Sequence, residues 1–440
     1  MRGLTIIDEK ATAIDVGSER LHVSIGGGTP RVFGTKTCDV SELVHTLTQE
    51  GVGSVAMEAT GVYWMYLYTA LQAAGMEVLV VNARHVRNLP GRKTDMSDSQ
   101  WLATLHAHGL LRSGFVPGPA IRCLQDYVRL RDDHLSLTTA QVQKMQQALE
   151  RMNIKFHDAI SELSGVSGMK VLRAILDGER DPHKLLELCD VQIRRNKAKQ
   201  VVESLRGIWR EEHLFQLRQA VQIWDFVQAQ IAECDGQIAK ALHEIKPVDD
   251  DDSAGPSNPG KRVRGNTPKI KGLHKILVQA CNGQDPTKLP GMADLSLLKL
   301  ISEVGCDMTK WPTEKHFTAW AGLAPGTAQS GKRRKNQSRQ CNRAGRIFCD
   351  MARSAGQALD SGLAGAYRRL KARRGGLVAT KALARKLAVL FWRTMVHGVD
   401  YVEQGLKKYQ ERAAHTEQRV LKKLARKHGM QLTPVAAAPV

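Results

Sequence analysis

No stretch of this 440-residue chain stays apolar for anything like the roughly 18 residues that a membrane span requires. Met1 to Leu21 mixes charges into every short apolar stretch, which argues against a secretory signal and predicts a cytoplasmic protein with no membrane partner. Cysteine is sparse and isolated. The eight thiols include no C-x-x-C pair, so neither a zinc ribbon nor a disulfide framework is expected, and reduced, buried thiols are the default. Acidic residues are scarce at one end. From Gly331 to Val440 there are 25 Lys plus Arg against 6 Asp plus Glu, so nearly all of the net charge of +20 lies in the last quarter. A polyanionic partner for that end follows.

At 42% hydrophobic residues the chain is globular, and its length suggests two or three domains. The first 125 residues alternate strand and helix signals. Ala11 to Val16, Arg20 to Ile25 and Arg31 to Thr37 read as three strands with tight connections, the simplest arrangement being an antiparallel meander. A helix near Ser41 to Gln49 precedes a strand at Ser54 to Thr60. A second helix, Tyr63 to Ala74, precedes Glu77 to Asn82, apolar enough to predict a central parallel strand. The order βββαβαβα is that of the ribonuclease H fold. Asp15 and Glu58 fall near strand ends, where ligands gather in open α/β sheets.

Lys93-Thr94-Asp95-Met96-Ser97-Asp98 opens a segment with Trp101, Leu102, Leu105 and Leu110 at helical spacing, which puts Asp95 and Asp98 about one turn apart. A helix cap with a first-turn acid explains such a pair on its own. With Asp15 and Glu58 added, four carboxylates suit a two-metal phosphodiester site, in which cations stabilise the attacking and leaving oxygens.

Ala13-Ile14-Asp15-Val16-Gly17, Met57-Glu58-Ala59-Thr60-Gly61 and Lys93 to Asp98 occur in order and resemble the three signatures of the IS110 transposases, recombinases encoded by bacterial insertion sequences. The resemblance implies a Holliday-junction-resolvase-like domain whose Asp15, Glu58, Asp95 and Asp98 bind Mg2+. It also implies donor and target DNA, a guide (bridge) RNA, and assembly as a dimer or tetramer. Leu323-Ala324-Pro325 leading into Ser330-Gly331 resembles the stretch that holds the family's nucleophilic serine, which makes Ser330 the nucleophile. Lys332, Arg333 and Arg334 would stabilise charge on the phosphate under attack. Asn342-Arg343-Ala344-Gly345-Arg346 departs from the family's Ser-Lys-Ala-Gly, with Arg343 keeping the charge and Arg346 following as a second phosphate contact. An active site drawing on both domains follows from the same resemblance.

The middle of the chain, 126–245, reads as helical. Trp224, Val227, Ile231, Cys234, Ile238, Ala241 and Ile245 alternate steps of three and four, a coiled-coil seam that could pack within a subunit or, as the resemblance implies, between subunits. Residues 153–212 exceed what the family carries here. Asp181-Pro182 and Arg194 to Lys197 suggest a loop there, with a nucleic-acid contact. Residues 246–270, with Asp249 to Asp252, compose a linker. The third domain, 271–410, is expected to be α-helical. Leu289-Pro290-Gly291-Met292 partly resembles a phosphate-binding hairpin, and two helices meet at Gly375-Gly376 with Arg368, Arg369, Arg373 and Arg374 at the bend. A basic tail, 411–440, ends the chain. The alternatives to a covalent serine recombinase are a metal-dependent junction-resolving endonuclease and an RNA-binding scaffold with a relic nuclease fold.

Overall fold

The structure, a computed structural model, describes residues 5–59, 61–81, 98–246, 265–330, 333–337, 340–358 and 362–431. It divides into two compact units, Met1–Val116 and Pro117–Val440.

The first unit is a five-stranded sheet in the order β3-β2-β1-β4-β5. Strands β1 (Thr12–Val16), β2 (Arg20–Ile25) and β3 (Arg31–Gly34) form the expected meander. Strands β4 (Ser54–Glu58) and β5 (Glu77–Val81) continue the sheet from β1 in parallel. Helix α1 (Thr37–Gln49) starts four residues before the expected point, because the Asp39 carboxylate turns back to accept a hydrogen bond from Lys36 N at 3.1 Å. Helices α2 (Trp64–Ala73) and α3 (Asp98–Ala107) complete the unit. One correction concerns β5, which lies at the sheet edge rather than centrally. Its apolar run has another cause: Val80 packs into the core on one face while Leu79 and Val81 pack on the other, and Val80 O is taken by Gly114 N at 2.7 Å.

Side chains alternate across these strands, so parity assigns the faces. Ile14, Val16, Val55 and Met57 join α1 and α2 through Leu43, Leu47, Leu67 and Leu71. Ala13, Ala56 and Val81 face the other way and meet Leu102 and Ala103 of α3. Asp15 and Glu58 share that second parity.

The second unit is largely helical. Helices α4 (Pro119–Arg151) and α5 (Phe156–Ala159) are followed by α6 (Val166–Leu176), α7 (Pro182–Glu187), α8 (Val191–Ser204) and α9 (Glu211–Ile245). Helices α4 and α9 form a long antiparallel pair, with Arg131 against Asp235 and Arg151 against Gln216. Val227, Ile231, Cys234, Ile238 and Ala241 of the expected seam are buried within this one chain. That corrects the reading of the seam as a contact between subunits: the matching face of α4 buries Val128, Met145 and Leu149, part of a seven-residue apolar recurrence readable in the sequence, together with the polar Arg131, Thr138 and Gln141. The run Arg194 to Lys197 is likewise no loop but lies inside α8, and Asp181 caps α7 by accepting from His183 N at 2.9 Å.

Arg131 and Asp235 are the buried ion pair of this helix pair, Nε to Oδ1 at 2.5 Å, with side chains 3% and 6% exposed. Arg131 Nη1 donates to Asn266 O and Lys269 N donates to Asp235 Oδ2, both at 2.9 Å. The end of the segment expected as a linker is thus fastened to the helices, while its acidic run lies outside the described residues.

Beyond it come α10 (Leu273–Ala280), α11 (Asp294–Val304), α12 (Glu314–Trp320), α13 (Arg343–Gly356), α14 (Gly362–Arg374), α15 (Gly376–His397) and α16 (Val399–Lys427). Phe317, Phe348 and Phe391, all fully buried, form their aromatic centre with centroids 5.7 to 6.1 Å apart. This region is not purely α-helical as expected. An antiparallel hairpin of β6 (Gly326–Ser330) and β7 (Arg333–Gln337) interrupts it, built from polar residues with no apolar alternation to signal strands. Gly291, at φ +78°, owes its identity to packing: a Cβ there would lie 2.5 Å from Met351 O. With Leu289 and Met292 buried, that turn faces the protein core rather than a phosphate.

Removing one partner of a buried ion pair strands the other charge, so Asp235→Ala should lower unfolding stability by about 3–5 kcal/mol. The double variant Arg131→Met, Asp235→Leu should recover most of that loss in urea denaturation. A single variant within about 0.5 kcal/mol of wild type would show that the pair is dispensable.

Candidate active site

Helix α3 decides which acids meet. Its last turn is held at the start of β4, where Ser54 Oγ lies 2.9 Å from His106 Nε2 and donates to Asp8 Oδ2 at 2.8 Å. The hydroxyl has one proton and gives it to Asp8, so His106 Nε2 carries the hydrogen of the other bond. Burial holds the imidazole below its ordinary pKa, against the pull of Asp8 and Glu77, and favours its neutral form. From His106 back to Asp98 the helix rises about 12 Å, and β4 from Ser54 to Glu58 covers about 13 Å. The two elements therefore end together. Asp98, the first residue of α3, comes to the strand ends that carry Asp15 and Glu58. Ala13, Ala56 and Ala103, all fully buried, let helix and sheet approach closely.

The electrostatics record this proximity. Asp15 is held above its ordinary pKa of 3.8, first by burial and then by the Asp98 charge, with His22 pulling the other way. His22 is the residue directly across from Asp15 in the β1–β2 register. Sequence reading missed it, although the tight turn through Gly17, whose Cβ would lie 2.8 Å from Arg20 O, makes the register legible. Asp95 lies outside the described residues, as do Gly331 and Lys332.

A desolvated carboxylate repelled by a neighbouring one, as Asp15 is, is the kind of donor that suits a hard divalent cation. Among the described residues, however, the carboxylates of Asp15, Glu58 and Asp98 do not all come within 4.8 Å of one another. Among those residues the set that does gather is Glu150, His157 and Asp158 of the second unit. There the hydrogen bond from Lys155 holds the Glu150 carboxyl below its ordinary pKa, and His157 Nε2 lies 3.0 Å from the same carboxylate. The Lys155 ammonium already pairs with the Glu150 carboxylate of that cluster.

In the second unit, Ser330 ends β6 opposite Arg333, the first residue of β7, with Arg334 paired to Gln329. The base of this hairpin is tightly packed. A Cβ at Gly322 would lie 2.3 Å from Gln340 O, and one at Gly345 would lie 2.1 Å from Ala321 O. Asn342 caps α13, accepting from Gly345 N at 2.8 Å and donating to Trp320 O at 3.1 Å. Arg343 and Arg346 are exposed on the first turn of α13, three residues apart on one face. Cations beside a helix N-terminus are unfavourable alone but suit an anion bound there. Arg368, Arg369, Arg373 and Arg374 are exposed near the C-terminus of α14, where the helix dipole already favours them, and Arg368 Nη1 donates to Ala358 O at 2.8 Å. The cysteines are free, four of them buried and Cys38 exposed. Among the described residues no helix is long and apolar enough to cross a membrane.

Comparison with known families gives these features a class. Residues 12–154 match a family model described as transposase, and residues 287–365 match the model of transposases of the IS116/IS110/IS902 family. The protein is a transposase, an enzyme of insertion sequences that cleaves and transfers DNA. Within that class the chain belongs to the IS110 family. No curated protein matches it.

The raised Asp15 pKa gives a signed prediction. A carboxyl that binds its proton more tightly when folded loses stability as pH rises through the ordinary carboxylate range to the raised folded value. In EDTA at pH 7, Asp15→Asn should therefore melt above wild type, and the gap should close as pH falls through 3.8. Added Mg2+ should raise the wild-type melting temperature more than that of the variant. A variant that melts below wild type in EDTA at pH 7 would contradict the repulsion.

Proposed function

We propose that the chain is an RNA-guided, site-specific DNA recombinase that cuts and rejoins DNA through a covalent serine–DNA intermediate. In this reading Asp15, Glu58, Asp95 and Asp98 hold Mg2+, which when bound would neutralise charge on the reacting phosphodiester. The observation that carries it is the approach of Asp98 to Asp15, at the strand ends and on the face that also bears Glu58. The connectivity βββαβαβ followed by α3, with β1 between β2 and β4, supports a ribonuclease H-like, Holliday-junction-resolvase-like domain.

Ser330 is the nucleophile. Its Oγ forms a bond to phosphorus as a phosphorus–deoxyribose oxygen bond breaks, and the hydroxyl proton ends on the released deoxyribose oxygen. Attack by a deoxyribose hydroxyl reverses the exchange. One phosphodiester replaces another, so rejoining needs no ATP. Lys332, Arg333 and Arg334 supply positive charge beside the phosphate, and Arg343 and Arg346 add phosphate contacts at the α13 N-terminus. Donor and target DNA are the substrates. The basic last quarter, with Arg368, Arg369, Arg373 and Arg374, binds guide RNA or DNA through its backbone. Oligomeric assembly, as a dimer or tetramer, belongs to the same reading.

The test is denaturing electrophoresis of labelled DNA carrying the element's ends, incubated with protein copurified with its RNA. Wild type should give a slow, protease-sensitive covalent species that Ser330→Ala and Asp98→Asn both lose. Cleavage that persists in Ser330→Ala, with no adduct in any lane, would leave a metal-dependent junction-resolving endonuclease instead. Activity undiminished after RNase treatment would remove the guide.

A further inference from the structure

Helices α5 to α8 form a subdomain that lies outside both regions matched by the transposase families. Its core is continuous with the helix pair: Phe156, Leu163, Met169, Leu172, Ile175, Leu185, Val201 and Leu205 are all buried, closing on Met145 and Leu149 of α4 and Leu217 of α9. A packed, capped insertion of this kind is a built element. Its surface carries the question of purpose.

Most cations of this subdomain are committed to partners. Lys155 pairs with Glu150, Arg173 with Asp225 at 2.6 Å, Lys184 with Glu179 at 3.6 Å and Arg210 with Glu212 at 2.6 Å. Arg180 lies over the Trp209 ring at 4.4 Å and donates to Ile175 O. On helix α8 Lys197 donates to Ala159 O at 3.0 Å, but its other cations differ. Arg194, Arg195 and Arg206 are exposed and make no side-chain hydrogen bond or ion pair among the described residues. Lys199 meets only Glu203, at 3.9 Å, with 90% of its side chain exposed.

The spacing turns these residues into a stripe. Val201 and Leu205 face the core, so the helix is fixed in rotation. Arg195, Lys199 and Arg206 are four and then seven residues apart, which puts them on one side of the helix with the buried Val202 between the last two, and the αR cap at Leu205 carries the turn on to Arg206. The stripe rises about 16 Å, enough for two or three successive phosphates of one strand. Gln192 at its start adds a neutral hydrogen-bonding group. No aromatic side chain occurs between Val191 and Ile208, so the stripe has no platform on which an unpaired base could stack.

We infer that the exposed face of α8 is an accessory binding surface for the sugar–phosphate backbone of duplex DNA, gripping sequence outside the reacting strands without reading bases. It rests on the membership in a transposase family, whose substrate is DNA, and not on the serine chemistry. A failure of the covalent-adduct test therefore leaves it standing, and the reverse also holds.

The experiment measures binding of the full-length protein to a fluorescein-labelled 30-base-pair duplex of arbitrary sequence, by anisotropy across a salt series. Each neutralised phosphate contributes a slope of about −0.9 in log K against log salt. The variant Arg195→Gln, Lys199→Gln, Arg206→Gln should flatten the slope by about 2 to 3 units. The charge-keeping variant Arg195→Lys, Lys199→Arg, Arg206→Lys should restore it, which separates lost contacts from lost structure. A control that removes three ion-paired cations, Lys155→Gln, Arg173→Gln, Lys184→Gln, should leave the slope as in wild type. An unchanged slope in the first variant, or an equal change in the control, would overturn the proposal. So would a loss confined to single-stranded RNA of the same length, which would assign the stripe to RNA.

Discussion

The close contact of one helix with one sheet governs the first unit. Three fully buried alanines, Ala13, Ala56 and Ala103, remove the bulk that would hold α3 away from β1 and β4. The His106–Ser54–Asp8 hydrogen bonds fix where along the sheet that helix starts. Because α3 and β4 are nearly equal in length, fixing one end fixes the other. Asp98 is thereby forced toward Asp15 against electrostatic repulsion. The packing of the helix thus holds two like charges near each other.

In the second unit the corresponding constraint is polar. Arg131 and Asp235 meet inside the α4–α9 pair, and their remaining hydrogen-bonding capacity is taken up by Asn266 and Lys269. The pair fixes helix register and at once pins the chain as it leaves the acidic segment. The ends of α4 and α9 away from it carry the α5–α8 insertion, whose core is continuous with Met145, Leu149 and Leu217. Through that continuity α5 to α8 extend an existing apolar seam rather than founding a separate one.

The Ser330 hairpin follows a different rule. Its strands are polar and basic, and its anchorage comes from glycines at its base that allow the chain to touch Gln340 and Ala321 carbonyls. A cap at Asn342 joins the same base to Trp320.

Much of this was legible in the residue order. Apolar alternation in the meander and the βββαβαβ order marked the sheet, and Asp15, Glu58 and Asp98 could be singled out from their places at element ends. Such features depend on neighbours a few residues apart, which is the range over which strand and helix periodicity acts. Other features escaped for physical reasons. The edge position of β5 was hidden because helices cover both its faces, and the polar part of the inner face of α4, Arg131, Thr138 and Gln141, because it interrupts the apolar recurrence of Val128 and Leu149. The hairpin at Ser330 has no apolar pattern at all, since its ladder is made by backbone groups common to every residue. The sequence by itself determined the kinds of elements, the acids available and the basic end of the chain. Which acid meets which, which cations stay unpaired and which coil face is already occupied were decided only by tertiary structure, because each depends on residues tens of positions apart brought together by packing.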